Sequence, residues 1–198
     1  MSFDNICKFL CKQYPEQYAL WLVKDLNPPV RIMESELSNE PVRADSVVFL
    51  QARDRILHYE FQVEPLKSEP PLSLRMLDYW VRLYRQYRMP IEQVVILLRD
   101  SPVARNFRGE FIVGRTSHYF HVVRLWEEDP NTFLQNPALL PLAVLAQTNN
   151  PADLLNQVAR RIKRIDNMSE RETISVVLKF WRDCDMKSNS FDRCLRRE

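Results

Sequence analysis

Apolar residues along this chain recur first at helical intervals, then alternate, then run together, and each change of rhythm marks a change of element. Residues 3–24, FDNICKFLCKQYPEQYALWLVK, keep helical spacing, and Pro15 followed by Glu16 marks a fresh start, which predicts two short helices. Beyond the turn at Pro28 and Pro29, VRIMESELS alternates roughly and PVRADSVVFLQ becomes β-branched and aromatic. The polar ARDR and then ILHYEFQ follow, and two apolar runs around a short polar link predict an antiparallel hairpin. VEPLKSEPP is a proline-rich loop. LSLRMLDYWVRLYRQYR sets Leu74, Leu77, Val81 and Tyr84 on one stripe, the spacing of an amphipathic helix, and Pro90 stops it.

EQVVILL is almost continuously apolar, as expected for a central strand covered on both faces. The order strand, strand, helix, strand predicts a mixed sheet in which the helix serves as a right-handed crossover. GEFIVGRTSHYFHVVRLW adds one or two edge strands. From Pro130 onward PALLPLAVLAQ, PADLLNQVARRIKRI and SERETISVVLKFWRDC keep helical periodicity after Pro or Ser starts. The prediction is an α/β core over 1–129 and a helical C-terminal region over 130–198. Neither an internal repeat nor a low-complexity segment interrupts it.

Composition narrows the function more than the fold. With 198 residues, 45% hydrophobic and 27% charged, the chain can bury a substantial core and is neither a disordered tail nor a membrane protein. No apolar run approaches the ~18 residues of a membrane span, and MSFDNICKFLCKQ has no leader-like apolar core, so a cytoplasmic protein is expected. A net charge of +2 announces no nucleic-acid surface by itself, and the basic runs RLYRQYR and RRIKR read first as solvated helix faces. Only two glycines, Gly109 and Gly114, are present, which excludes the glycine-rich phosphate loops of nucleotide-cofactor enzymes. Cys7, Cys11, Cys184 and Cys194 lie at the chain ends without CxxC spacing; reduced thiols are favoured over a zinc site.

The hairpin carries the candidate chemistry. If Arg53 and Asp54 form the tip and Ala52 pairs with Arg55, Glu60 lies opposite Val47 and Gln62 opposite Asp45. Asp45, Glu60 and Gln62 then share one face at the open end, while Val48, Leu50, Leu57, Tyr59 and Phe61 share the other. A one-residue slip would bury Asp45 among apolar groups. Two carboxylates so placed can share one divalent cation. The same letters also fit solvated strand ends, and spacing alone leaves both readings open.

The order of acid, hairpin, Glu, any residue and a polar residue resembles the active site of the PD-(D/E)XK nuclease superfamily. The segments SELSNEPVRADSVVFLQ, ILHYEFQ, LRMLDYWVRLYR, QVVILL, HVVRLWEEDP and LLPLAVLAQTNNP together resemble the Rpn family of recombination-promoting nucleases and transposase-like proteins, particularly its cyanobacterial members. The resemblance spans roughly residues 3–165 and implies a restriction-endonuclease-like core that cuts DNA with Mg2+ or Mn2+. It implies Asp45 and Glu60 as metal ligands, with the backbone carbonyl of Phe61 as a further ligand and Glu36 as the candidate additional acid. Gln62 stands where the superfamily usually has lysine, and a neutral amide can orient a water but cannot offset charge. Arg75 and Tyr79, four apart on the helix, resemble a position that assists phosphate binding, with surface packing as the alternative.

The histidines make a weaker site. His58 reads as a packing residue, and His118 and His121, taken as one strand, point to opposite faces. No GxSxG elbow supports a Ser-His-Asp triad. Two classes of function therefore stand: a metal-dependent deoxyribonuclease, or a nuclease-fold protein that binds nucleic acid or protein without cutting. Nucleases that cut both strands often act as homodimers, although no heptad pattern identifies an interface.

Overall fold

In the computed structural model, residues 3–33, 47–65 and 70–183 are described, the last four of these by backbone only. They separate into two compact units, Phe3–Glu128 and one beginning at Asp129. The first is an α/β unit built on a mixed five-stranded sheet.

Its N-terminal helices break where the sequence predicts, into α1 (Phe3–Gln13) and α2 (Pro15–Leu22), because Pro15 has no N–H to continue the first helix and is pre-set for the first turn of the next. The short β1 (Arg31–Ile32) pairs antiparallel with β2 (Val47–Gln51), which pairs antiparallel with β3 (Ile56–Gln62). The hairpin has the predicted register: Val47 lies opposite Glu60, Phe49 opposite His58, and the Ala52 N–H donates to the Arg55 carbonyl at 3.0 Å. The sheet continues parallel through β4 (Ile91–Leu97) and β7 (His121–Arg124). Helix α3 (Leu72–Tyr87) connects β3 to β4. Strand β4 is central, as its continuous apolar run predicts.

Two predictions need correction. An amphipathic helix turns its apolar stripe to the core, yet α3 buries Leu72, Met76, Tyr79 and Leu83 and leaves Leu74, Val81 and Tyr84 exposed. Both stripes are apolar, so the pattern alone could not choose between them. The helix ends at Tyr87, where Arg88 adopts the left-handed conformation (φ 54°) and returns its N–H to the Tyr84 carbonyl at 3.0 Å, two residues before Pro90.

The second correction concerns GEFIVGRTSHYFHVVRLW, which follows the short α4 (Pro102–Asn106) and forms three strands. Strands β5 (Glu110–Val113) and β6 (Thr116–Tyr119) make a separate two-stranded sheet, turning at Gly114 (φ 60°), and only β7 joins the main sheet. Gly109 pins the base of that hairpin: a Cβ there would sit 2.1 Å from the Phe120 carbonyl oxygen, and the Phe120 N–H donates to the Gly109 carbonyl at 2.9 Å. His118 and His121 therefore lie on different strands of different sheets.

Both faces of the main sheet are covered. Helix α1 packs on one, against β2 and β3, and Tyr18 of α2 meets Phe61 there edge to face. Helix α3 covers the other, over Val47, Phe49 and Ile56 on one side and Val95 and Leu97 on the other. The second unit holds α5 (Pro130–Leu134), α6 (Leu140–Ala143), α7 (Pro151–Ile162) and α8 (Met168–Asp183). The Asn150 side chain caps α7 by accepting from the Asp153 N–H at 3.1 Å. The basic run on α7 is solvated apart from Ile162, as the sequence predicts. Cys7 and Cys11 are buried free thiols, and burial raises the pKa of both; Cys184 and Cys194 lie outside the described residues. No helix among the described residues is long and apolar enough to cross a membrane.

The phase of α3 is testable by truncation. Leu83→Ala is expected to cost about 2–5 kcal/mol in chemical denaturation, whereas Val81→Ala, at a position 37% exposed on the same helix, stays within about 0.5 kcal/mol. A reversed order would mean that α3 is rotated.

Candidate functional site

Even-numbered residues of β3 face α3, so the strand delivers His58, Glu60 and Gln62 in turn to the helix-covered side. The period of two puts the acid there, and α3 determines what it meets. Glu60 is only 2% exposed. Its Oε1 accepts from Arg75 Nη2 at 2.8 Å and from Gln62 Nε2 at 2.9 Å. Its Oε2 is buried with no hydrogen-bond partner among the described residues, 3.9 Å from His58 Nε2, which likewise has none. Arg75 Nε is a third such atom. One carboxylate oxygen is thus held by two donors, while the other has only the more distant His58 beside it among the described residues.

The sequence reading missed a second polar layer beneath this pair. Gln93, on β4 beside His58, places its Nε2 2.8 Å from the Met76 carbonyl and 2.7 Å from His58 Nδ1. A carbonyl only accepts, so the amide nitrogen must be the atom facing Met76, and His58 Nδ1 must then be the acceptor. The His58 proton consequently sits on Nε2, directed to Glu60. The other amide atom, Gln93 Oε1, lies 2.6 Å from His118 Nε2, which must donate to it. Glu60, His58, Gln93 and His118 form a line across β3, β4 and β6. The sequence signal was a glutamine leading directly into the apolar run VVILL.

Aromatic packing fixes this line. The His58 ring lies 5.0 Å from both Phe49 and Tyr79, and His118 lies 6.0 Å from Trp80. His58 is therefore a packing residue, as predicted, and also a hydrogen-bonding one. Burial lowers its pKa, more than the neighbouring Glu60 raises it. Burial lowers that of His118 as well, with His58 adding to the effect.

The other expected residues divide clearly. Asp45 and Glu36 lie outside the described residues. Arg75 points to Glu60, while Tyr79 is buried in the apolar cluster with Phe49 and Leu83; burial, followed by the Glu60 charge, pushes its hydroxyl pKa up to about 12. Tyr79 is thus packed inside the core and not on the surface. Backbone carbonyls alternate along a strand, and the Gln62 carbonyl accepts from the Leu98 N–H at 2.9 Å on the β4 side, so the Phe61 carbonyl is directed to the β2 side. His121 is exposed at the start of β7. Among the described residues, no three His, Cys, Asp or Glu side chains lie together as a ready metal site. Glu60 Oε2 fits one ligand position, because a buried carboxylate oxygen without a donor gains most from a cation.

No family model, curated protein or solved structure matches the chain, so its functional reading rests on its own residues and their geometry.

Two outcomes follow for the metal-free protein. Arg75→Met leaves Glu60 buried without its cation and is expected to cost about 3–5 kcal/mol, with Glu60→Gln in the same chain recovering a large part in a double-mutant cycle; additive losses would show that the pair is not coupled. Because burial depresses the pKa of His58 and His118, the unfolded chain binds more protons as pH falls below the ordinary histidine value. Stability should therefore decline as pH falls below about 6.5, and His58→Gln should make that decline shallower. An unchanged slope in denaturation measured across that range would contradict the assignment.

Proposed function

We propose that the chain is a metal-dependent DNA endonuclease of the Rpn type, with a restriction-endonuclease-like core. The observation that carries this reading is the Glu60 carboxylate, buried at the end of a hairpin with the expected register, one oxygen held by Arg75 and Gln62 and the other without a hydrogen-bond partner among the described residues. An antiparallel hairpin followed by a helix and parallel strands supports the same reading. The substrate is DNA and the compartment is the cytoplasm.

Glu60 Oε2, with Asp45 and the Phe61 carbonyl, would hold Mg2+ or Mn2+, and Glu36 is the further candidate acid. Bound there, the ion lowers the pKa of a coordinated water and offsets charge developing on the phosphate. The residues of the chain then have separate tasks. Arg75 orients the Glu60 carboxylate through Oε1, so that the unpaired oxygen keeps one direction. Gln62 ties its amide to the same oxygen and can align a water by hydrogen bonding, though without the charge of a lysine. Arg75 supplies positive charge within reach of that position, which compensates in part for Gln62. Tyr79 contributes through packing.

A non-catalytic reading has its own support: Arg75 already offsets the Glu60 charge, so the pair can serve as a structural tie between α3 and the sheet. Plasmid nicking separates the two. The wild type is expected to nick supercoiled DNA with Mg2+ or Mn2+ and to stop with chelator, while Asp45→Ala and Glu60→Gln lose about 100-fold or more and Gln62→Lys retains or gains activity. Equal nicking by wild type and both acid variants, or none by the wild type, would overturn the nuclease reading.

A further inference from the structure

We infer that Gln93 is a positioning residue that selects the metal: by fixing the His58 proton on Nε2, it keeps this histidine from ligating an ion at Glu60 and reserves the place for cations satisfied by oxygen ligands, such as Mg2+ and Mn2+. The inference rests on the reading of Glu60 as a metal ligand, and adds what decides which metal that ligand takes. It starts from proximity. His58 Nε2 and Glu60 Oε2 lie 3.9 Å apart, both buried, and neither has a hydrogen-bond partner among the described residues. Zinc sits ~2.0–2.1 Å from a histidine nitrogen and ~2.0–2.2 Å from a carboxylate oxygen, so one ion can touch both atoms across that gap. Distance alone would make the pair a nitrogen and oxygen site, which suits zinc better than magnesium.

The other side of the imidazole ring forbids this. A histidine that ligates a metal through one nitrogen almost always donates its other N–H, to a carboxylate, a carbonyl or a water. Here the other nitrogen, His58 Nδ1, lies 2.7 Å from Gln93 Nε2 and accepts from it. The same amide nitrogen donates to the Met76 carbonyl at 2.8 Å, which fixes the amide the way it points. Turning it over would set its oxygen against that carbonyl and its nitrogen against His118 Nε2, which now donates to Gln93 Oε1 at 2.6 Å. Gln93 is 3% exposed, so water does not replace the partners such a turn would lose. Phe49 and Tyr79, with ring centroids 5.0 Å from that of His58, pack the ring in place. A neutral imidazole that accepts at Nδ1 carries its proton on Nε2, and that N–H has no lone pair to offer a metal. It can donate to Glu60 Oε2 or to a water on a bound ion, and Mg2+ keeps several of its waters.

Gln93→Glu tests this, because a carboxylate of nearly the same shape accepts from an Nδ1–H and so frees Nε2. In long-range 1H–15N spectra of the full chain, wild-type His58 is expected as the neutral Nε2–H tautomer, with its nitrogen resonances unmoved by Zn2+. In Gln93→Glu, Zn2+ should shift the Nε2 resonance, and the ratio of Zn2+ to Mn2+ affinity, read by calorimetry, should rise about 10–100-fold over the wild type. Adding His58→Phe to that variant should cancel the rise. Gln93→Leu, which leaves Nδ1 without a donor, should raise the ratio by less, and keeps the test decisive if the glutamate variant does not fold. A wild type that binds no Mn2+ would remove the metal reading of Glu60, and the inference with it. Where Mn2+ does bind, an Nδ1–H tautomer in the wild type, a wild-type Nε2 resonance shifted by Zn2+, or a metal ratio that neither Gln93 variant moves would overturn the inference alone.

Discussion

The ion pair between Glu60 and Arg75 sets the rotation of α3 on the sheet, and most of the remaining structure depends on that rotation. A carboxylate on the covered face of β3 cannot be left without a donor, because stranding a charge there costs several kcal/mol. Arg75 reaches it only when α3 presents Leu72, Met76, Tyr79 and Leu83 to the sheet. That same rotation turns the Met76 carbonyl to Gln93 and sends the other apolar stripe outward. Hydrophobicity alone would accept either stripe, so the polar contact chooses between two packings of similar apolar content.

Beneath the ion pair, the line from His58 through Gln93 to His118 joins β3, β4 and β6 by polar contacts inside an aromatic surround. A fully satisfied buried network of this kind specifies one arrangement, whereas its unsatisfied members mark strain or a binding role. Here the unsatisfied atoms, Glu60 Oε2, His58 Nε2 and Arg75 Nε, belong to residues grouped around one carboxylate. The rest of the line is paired. That asymmetry sets the Glu60 end, where buried atoms lack partners among the described residues, apart from the paired Gln93 end.

Much of the fold was legible because local rules agreed with one another. The hairpin register followed from a two-residue tip and the parity of Glu60, and β4 followed from its unbroken apolar run. The phase of α3 was not legible, since Leu74, Leu77, Val81 and Tyr84 make as good an apolar stripe as the one that is buried. Nor was the division of β6 from β7, which depends on the close approach of Gly109 to Phe120 across ten residues of intervening hairpin. At the site, parity placed Glu60 and Gln62 together, as the contact between them bears out. The partner at Arg75 appeared in sequence only as one of two residues sharing a helix face. Gln93 and His118 are joined by tertiary contacts between strands distant in sequence, so no local pattern could have connected them.

The role proposed for Glu60 is that of a metal ligand and not only of a partner to Arg75. Calorimetric titration of metal-free protein with Mn2+, compared between wild type and Glu60→Gln, tests it without relying on any DNA substrate. Saturable binding is expected in the wild type, and Glu60→Gln should abolish it while the variant remains folded. Binding of equal strength in both proteins, or none in the wild type, would contradict it and leave the buried pair as a structural tie.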